Sequence, residues 1–292
     1  MAGGKRERRL ILHRSYDLQA SHVRLGASIA ASAVFVVLLV GGLSGFTAAP
    51  QASGHTSDLG VSDVHAPPVL LGTTTATSHN WAGYAVSSSN HTVTSVSGSW
   101  VVPAIVGTCP SSKITFAVFW VGIDGYGGSN TVEQTGTSTG CSGGTPFYAA
   151  WYEFYPAGMI TMSMVISPGD TITASVTYTS SGNVWSTNLK DTTNGNSGGS
   201  AQNVKGLARS SAEWVAEAPG KTSGGLYPLA NFGSVTFTNC QATISGHTHA
   251  ISGFSNVKIT MWNNANTAKK AVPGALGSSG KSFKVTWKSA GP

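Results

Sequence analysis

From about Ser78 onward, apolar and polar residues alternate with a period of two. In residues 114–124, Phe119, Val121 and Ile123 fall on one side, and Trp120, Gly122 and Asp124 on the other. Ile172, Ala174, Val176 and Tyr178 alternate with Thr171, Thr173, Ser175 and Thr177. Phe283, Val285 and Trp287 alternate with Lys284, Thr286 and Lys288. This period, rich in β-branched residues and broken by turns such as Ser167-Pro168-Gly169-Asp170, predicts antiparallel strands. No long stretch carries helical periodicity, and no internal repeat is visible. Residues 77–292 therefore predict one all-β domain, a sandwich or a barrel.

The chain before that domain has another character. Residues 1–24 carry Lys5, Arg6, Arg8, Arg9, Arg14 and Arg24 and predict a basic cytoplasmic region. Residues 25–49 hold no charge and are strongly apolar over 29–40. Basic residues before an apolar run and small residues after it outline a signal peptide or an uncleaved signal anchor. Either one exports the C-terminal part of the chain and leaves the basic end in the cytoplasm. The cleavage point is indistinct, because Pro50 follows Ala48-Ala49. Residues 50–76 are rich in Ala, Pro, Ser and Thr without periodicity, which predicts a linker or a propeptide.

Charge sharpens this picture. Only 10% of residues are charged, against about 25% in an ordinary soluble domain. A neutral Ser/Thr/Gly surface over a β-branched and aromatic core suits a secreted all-β protein, and the localisation expected is secreted or membrane-anchored. The formal charge of +6 suggests nucleic acid until it is mapped. Much of it lies in residues 1–24, and no basic cluster in the domain exceeds Lys269-Lys270. A nucleic-acid partner is therefore not expected. Of the three cysteines, Cys109 and Cys141 read as lying in Gly/Ser/Thr-rich loops and could pair in an exported protein. Cys240, in a strand-like run, reads as a buried thiol. Asn90-His91-Thr92 is a glycosylation sequon.

Few residues can carry chemistry. Residues 77–292 hold seven acids: Asp124, Glu133, Glu153, Asp170, Asp191, Glu213 and Glu217. Asp170 and Asp191 read as turn residues. On a strand, Glu213, Val215 and Glu217 share one face, with Trp214 and Ala216 on the other. A carboxylate in so apolar a strand is costly unless it is paired or opens on a cleft; the plain alternative is a solvent-facing Glu at a sheet edge. Trp151, Glu153 and Tyr155 likewise project together, and aromatics on both faces of that strand suggest a core side and a groove for peptide or sugar. Dimer contacts are the alternative there. The run Gly136-Thr137-Ser138-Thr139-Gly140 matches a nucleophile elbow only formally, since no helix pattern follows it. His247-Thr248-His249 lacks a third metal ligand and reads as a loop pair.

Several blocks occur in an order that resembles a known family. They are Asn80-Trp81-Ala82-Gly83-Tyr84, Phe119-Trp120-Val121-Gly122-Ile123-Asp124-Gly125, Glu133-Gln134-Thr135-Gly136, Ala150-Trp151-Tyr152-Glu153-Phe154-Tyr155-Pro156, Ala212-Glu213-Trp214 and Phe232-Gly233-Ser234-Val235-Thr236-Phe237-Thr238-Asn239. Residues 78–290 resemble the glutamic peptidases, or eqolisins. The resemblance implies a two-sheet antiparallel β-sandwich of the concanavalin A-like lectin/glucanase type with its active cleft on a concave sheet. It implies a catalytic dyad of Gln134 and Glu213, with Trp81, Trp120, Asp124, Trp151, Glu153 and Tyr155 lining the substrate cleft. The chemistry expected is hydrolysis of polypeptide substrates by a monomer without metal or cofactor, at acidic pH. Glu213 can take a proton from water and return it to the departing amine, while Gln134 donates to the oxyanion. Glu133 adjoins Gln134 but falls on the opposite strand face. The domain is net basic, unlike the acidic fungal members. A glycan-binding or glycan-hydrolysing sandwich is the rival, with Glu213 and Glu153 as its carboxylates.

Overall fold

The computed structural model describes residues 61–62, 69–70 and 74–291. The chain divides into two units, 1–49 and 50–292. The first, with the basic region and the apolar run, lies outside the described residues, as does most of the stretch read as linker or propeptide.

The second unit is built of β-strands. In chain order they are β1 (Val61–Ser62), β2 (Val69–Leu70), β3 (Thr75–Ser78), β4 (Trp81–Ser87), β5 (Val93–Val101), β6 (Thr115–Ile123) and β7 (Val132–Ser142). Then come β8 (Thr145–Tyr155), β9 (Ile160–Thr161), β10 (Thr171–Thr179), β11 (Val184–Asp191), β12 (Ser197–Asn203) and β13 (Ser211–Glu217). The last are β14 (Gly220–Lys221), β15 (Ser234–Ile244), β16 (His247–Ala250), β17 (Asn256–Trp262), β18 (Lys269–Pro273) and β19 (Phe283–Trp287).

Two sheets result. One runs β2-β3-β17-β4-β13-β6-β7-β8-β9. The other runs β12-β11-β10-β5-β15-β16. They join at one side because β15 pairs first with β19 and then with β5, and β19 leads back through β18 to β17. The pairings are antiparallel except β3 with β17.

The core sits between the sheets, where alternate residues of each strand meet. Phe119, Val121, Ile123, Trp214 and Ala216 of the first sheet join Val96, Trp100, Ile172, Val176, Trp185 and Phe237 of the second. Each large apolar side chain buried this way contributes roughly 2–3 kcal/mol. The Trp214 indole also donates to the Ser97 carbonyl at 2.7 Å, pinning one sheet to the other. The first sheet carries a second apolar layer on its other face, with Trp81, Val118, Trp120, Val132, Trp151 and Val215. That layer surrounds the candidate site.

Some local expectations are corrected. Cys141 is not in a loop but near the end of β7, where it is bonded to Cys109. His247 and His249 lie on a hairpin strand rather than a loop, their rings stacked 6.3 Å apart. Regular structure also begins before Ser78, since Thr75–Ser78 pairs with residues 258–261. Cys240 is a buried free thiol.

Candidate active site

Four adjacent strands bring one transverse row of residues onto the face of the first sheet that is turned away from the core. Glu213 on β13 lies opposite Gly122 on β6, Gly122 opposite Gln134 on β7, and Gln134 opposite Glu153 on β8. Neighbouring strands are about 4.8 Å apart, so Glu213 and Gln134 flank a gap of roughly 10 Å between backbones. Gly122 puts no side chain into that gap. A Cβ there would lie 2.9 Å from Trp120 Cζ3 and 3.2 Å from Gln134 Cβ.

Trp120 and Trp151 stand in the next row, opposite Gly136 from either side. Trp120 meets Trp81 edge to face at 5.0 Å. Tyr155 ends β8 opposite Val132 and is partly buried. The Gln134 Nε2 donates to Glu153 Oε2 at 2.8 Å, so Glu153 orients the amide. The aromatic residues, Glu153, Gln134 and Glu213 are thus brought together. Asp124 lies outside the row: its carboxylate accepts from the amides of Arg209 at 2.7 Å and Ser210 at 2.8 Å. That clamp holds the turn that enters β13.

The row is shielded from solvent, with Glu213 0% exposed and Gln134 and Glu153 each 1%. Glu213 is therefore no edge residue but part of a central strand. Neither of its carboxylate oxygens has a hydrogen-bond partner. Burial pushes its pKa well above the usual carboxylate range. The Ser211 hydroxyl and Tyr126 amide oppose that shift from nearby, and Asp124 and Glu133 add to it. Glu133 lies across from Ile123 and Phe154, on the core side of β7, and burial raises its pKa well above the ordinary value too.

Three residues escaped the sequence reading of the site. Glu217 accepts from the Trp120 indole at 2.7 Å and from Asn80 Nδ2 at 2.9 Å. Its signal was present, since it shares a strand face with Glu213. Asn80 opens the block Asn80-Trp81-Ala82-Gly83-Tyr84, but only Trp81 of that block was read as a site residue. Tyr126 follows β6 in a turn, and nothing in the alternation points to it. Among the described residues, no group of three or more His, Cys, Asp or Glu could hold a metal ion.

Comparison with known proteins bears on the family and the fold. The profile of the Peptidase A4 family matches residues 79–279. Aspergillopepsin-2 of Aspergillus niger is 36% identical over 194 residues, covering 59% of this chain and 66% of that protein. Scytalidopepsin B of Scytalidium lignicola is 31% identical over 176 residues, covering 57% and 64% respectively. The chain thus spans slightly less than two thirds of each relative's length. A crystal structure of scytalido-glutamic peptidase with a transition state analog inhibitor superposes with a TM-score of 0.61 at 27% identity, covering 72% of this chain and 98% of that one. Aspergilloglutamic peptidase from Aspergillus niger superposes with a TM-score of 0.53 at 32% identity, covering 60% and 99%. The fold is accordingly the β-sandwich of those enzymes, and the chain belongs to the Peptidase A4 family, the glutamic peptidases or eqolisins.

Proposed function

We propose that this chain is an exported endopeptidase whose dyad is Glu213 and Gln134. The observation that carries this is the register: a carboxylate with both oxygens unpartnered and a fixed amide face each other across Gly122. The ionised Glu213 takes a proton from water, and the hydroxide adds to the scissile carbonyl carbon. The oxyanion accepts from the Gln134 amide, whose orientation Glu153 fixes. One such donor is worth about 2.7–4 kcal/mol in the transition state. The tetrahedral intermediate then expels the amine as Glu213 returns the proton, and the C–N bond breaks. Peptide entry requires the layer over the row to open.

The raised pKa of Glu213 places the rising limb of kcat/KM above the ordinary carboxylate range. Residues 1–49 serve export and residues 50–76 link or precede the mature domain. The domain acts as a monomer on polypeptides. The glycan-hydrolase alternative loses ground because Glu153 is engaged with Gln134 rather than set opposite Glu213.

The test is casein hydrolysis at acidic pH with an aspartic-protease inhibitor present. Wild-type activity survives the inhibitor, while Glu213→Gln and Gln134→Ala each abolish it without unfolding the domain. Near wild-type turnover by Glu213→Gln would sink the dyad.

A further inference from the structure

The turn after β6 is stitched to the segment that enters β13. The Asp124 carboxylate holds the Arg209 and Ser210 amides, and the Asp124 amide donates to the Ser211 carbonyl at 3.1 Å. Asp124 and Gly125 take φ values of 71° and 104°, which turn the chain sharply there. The Ser211 hydroxyl then donates to the Tyr126 carbonyl at 3.3 Å. Tyr126 is thereby tied to a residue two positions before Glu213. Its ring belongs to the apolar layer of Trp120, Val132 and Trp151 around the row.

Tyr126 is 5% exposed, and its hydroxyl is buried without a hydrogen-bond partner. Such a group costs stability unless something binds it. The Glu213 carboxylate is near enough for its charge to raise the Tyr126 pKa, after burial has done so, which keeps the phenol a protonated donor. Yet donor and acceptor do not pair with each other. Held apart, they suit a guest that brings a water for Glu213 and an acceptor for Tyr126, which a hydrated scissile peptide does.

We propose that the Tyr126 hydroxyl is a third catalytic side chain, a hydrogen-bond donor that joins Gln134 in stabilising the oxyanion at the scissile carbonyl. This rests on the dyad reading and adds to it. Removing such a donor lowers kcat on the order of 10²-fold while leaving KM near its wild-type value. Because the hydroxyl has no protein partner, removing it leaves the fold equally or more stable.

Tyr126→Phe tests this directly, with kcat, KM and melting temperature measured on the full chain. A loss of kcat with unchanged KM and an equal or higher melting temperature is the expected result. Wild-type kcat overturns the proposal, and so does a rise in KM alone, which marks a ground-state contact. A lowered melting temperature or an unfolded variant overturns it as well, since the hydroxyl would then have been structural. Glu213→Gln, assayed beside it, keeps the two readings separate: activity there defeats the dyad, whatever Tyr126→Phe does.

Discussion

Glu217, while ionised, accepts hydrogen bonds and donates none. Both of its named partners, the Trp120 indole and the Asn80 amide, are donors. Glutamine at 217 could satisfy only one of them and would turn an N–H toward the other. Glu217→Gln should therefore cost about 2 kcal/mol of stability and, through a displaced Trp120, about tenfold in kcat/KM. Asn80→Asp alone should be harmful too, because it sets two carboxylates together. The pair Glu217→Gln with Asn80→Asp reverses the polarity of one hydrogen bond and keeps the buried charge constant, so it should recover most of both losses. Thermal melts and kinetics on the three variants check this, and a double variant no better than the singles would refute it. At this scale the sequence spoke unevenly. Glu213, Gln134 and Asn80 sit in recognisable blocks, whereas Tyr126 lies outside them, and both Asn80 and Tyr126 matter through contacts with residues far along the chain. Alternation carries no signal of such contacts.

Among elements, β6 is the one that separates Glu213 from Gln134, and its glycine defines the gap. An alanine at Gly122 would press on Trp120 and Gln134. One at Gly98 would press on Trp214 Cδ1 at 3.0 Å and Val121 Cγ1 at 3.1 Å, on the core side. Overpacking of this kind costs about 1–3 kcal/mol at either position. Gly122→Ala should also lower kcat/KM more than tenfold, while Gly98→Ala should leave it within about twofold at a temperature where both are folded. Equal activity losses would place the site elsewhere. The strands themselves were legible because one face of each packs between the sheets, as in β10, where Ile172, Ala174 and Val176 are buried and Thr171 and Thr173 exposed. Alternation failed where a strand is covered on both faces. β13 is buried at every position, so period two could not say whether Glu213 met solvent or the site layer. It failed again at His247–Ala250, a short exposed strand with no buried face to mark it.

For the whole molecule, the low charge content has a thermodynamic consequence. Much of the second sheet's outer face is neutral, with Thr171, Thr173, Ser175 and Thr177 beside Ser95, Ser97 and Ser99, and does not respond to acid. The response comes instead from Asp124, Glu133 and Glu213, whose pKa values burial raises in the folded state. The hydrogen bonds from Ser210 and Arg209 only partly offset this at Asp124. Below the unfolded carboxylate pKa, near 4, both states hold these protons and the fold is at its most stable. As pH rises, the unfolded chain releases them while the folded one retains them. Stability then falls by about 1.4 kcal/mol per pH unit for each group until its folded pKa is passed. Lys270, buried against the His79 carbonyl and lowered to about 8, adds a penalty that is constant through the acidic range and is relieved only above that value. The melting temperature should thus be highest near pH 4 and decline toward pH 7. Glu133→Gln, on the core side of β7, should flatten that decline and leave the pH 4 value nearly unchanged. A melting temperature that rises from pH 4 to 7, or a Glu133→Gln curve parallel to wild type, would show that these buried acids do not govern stability.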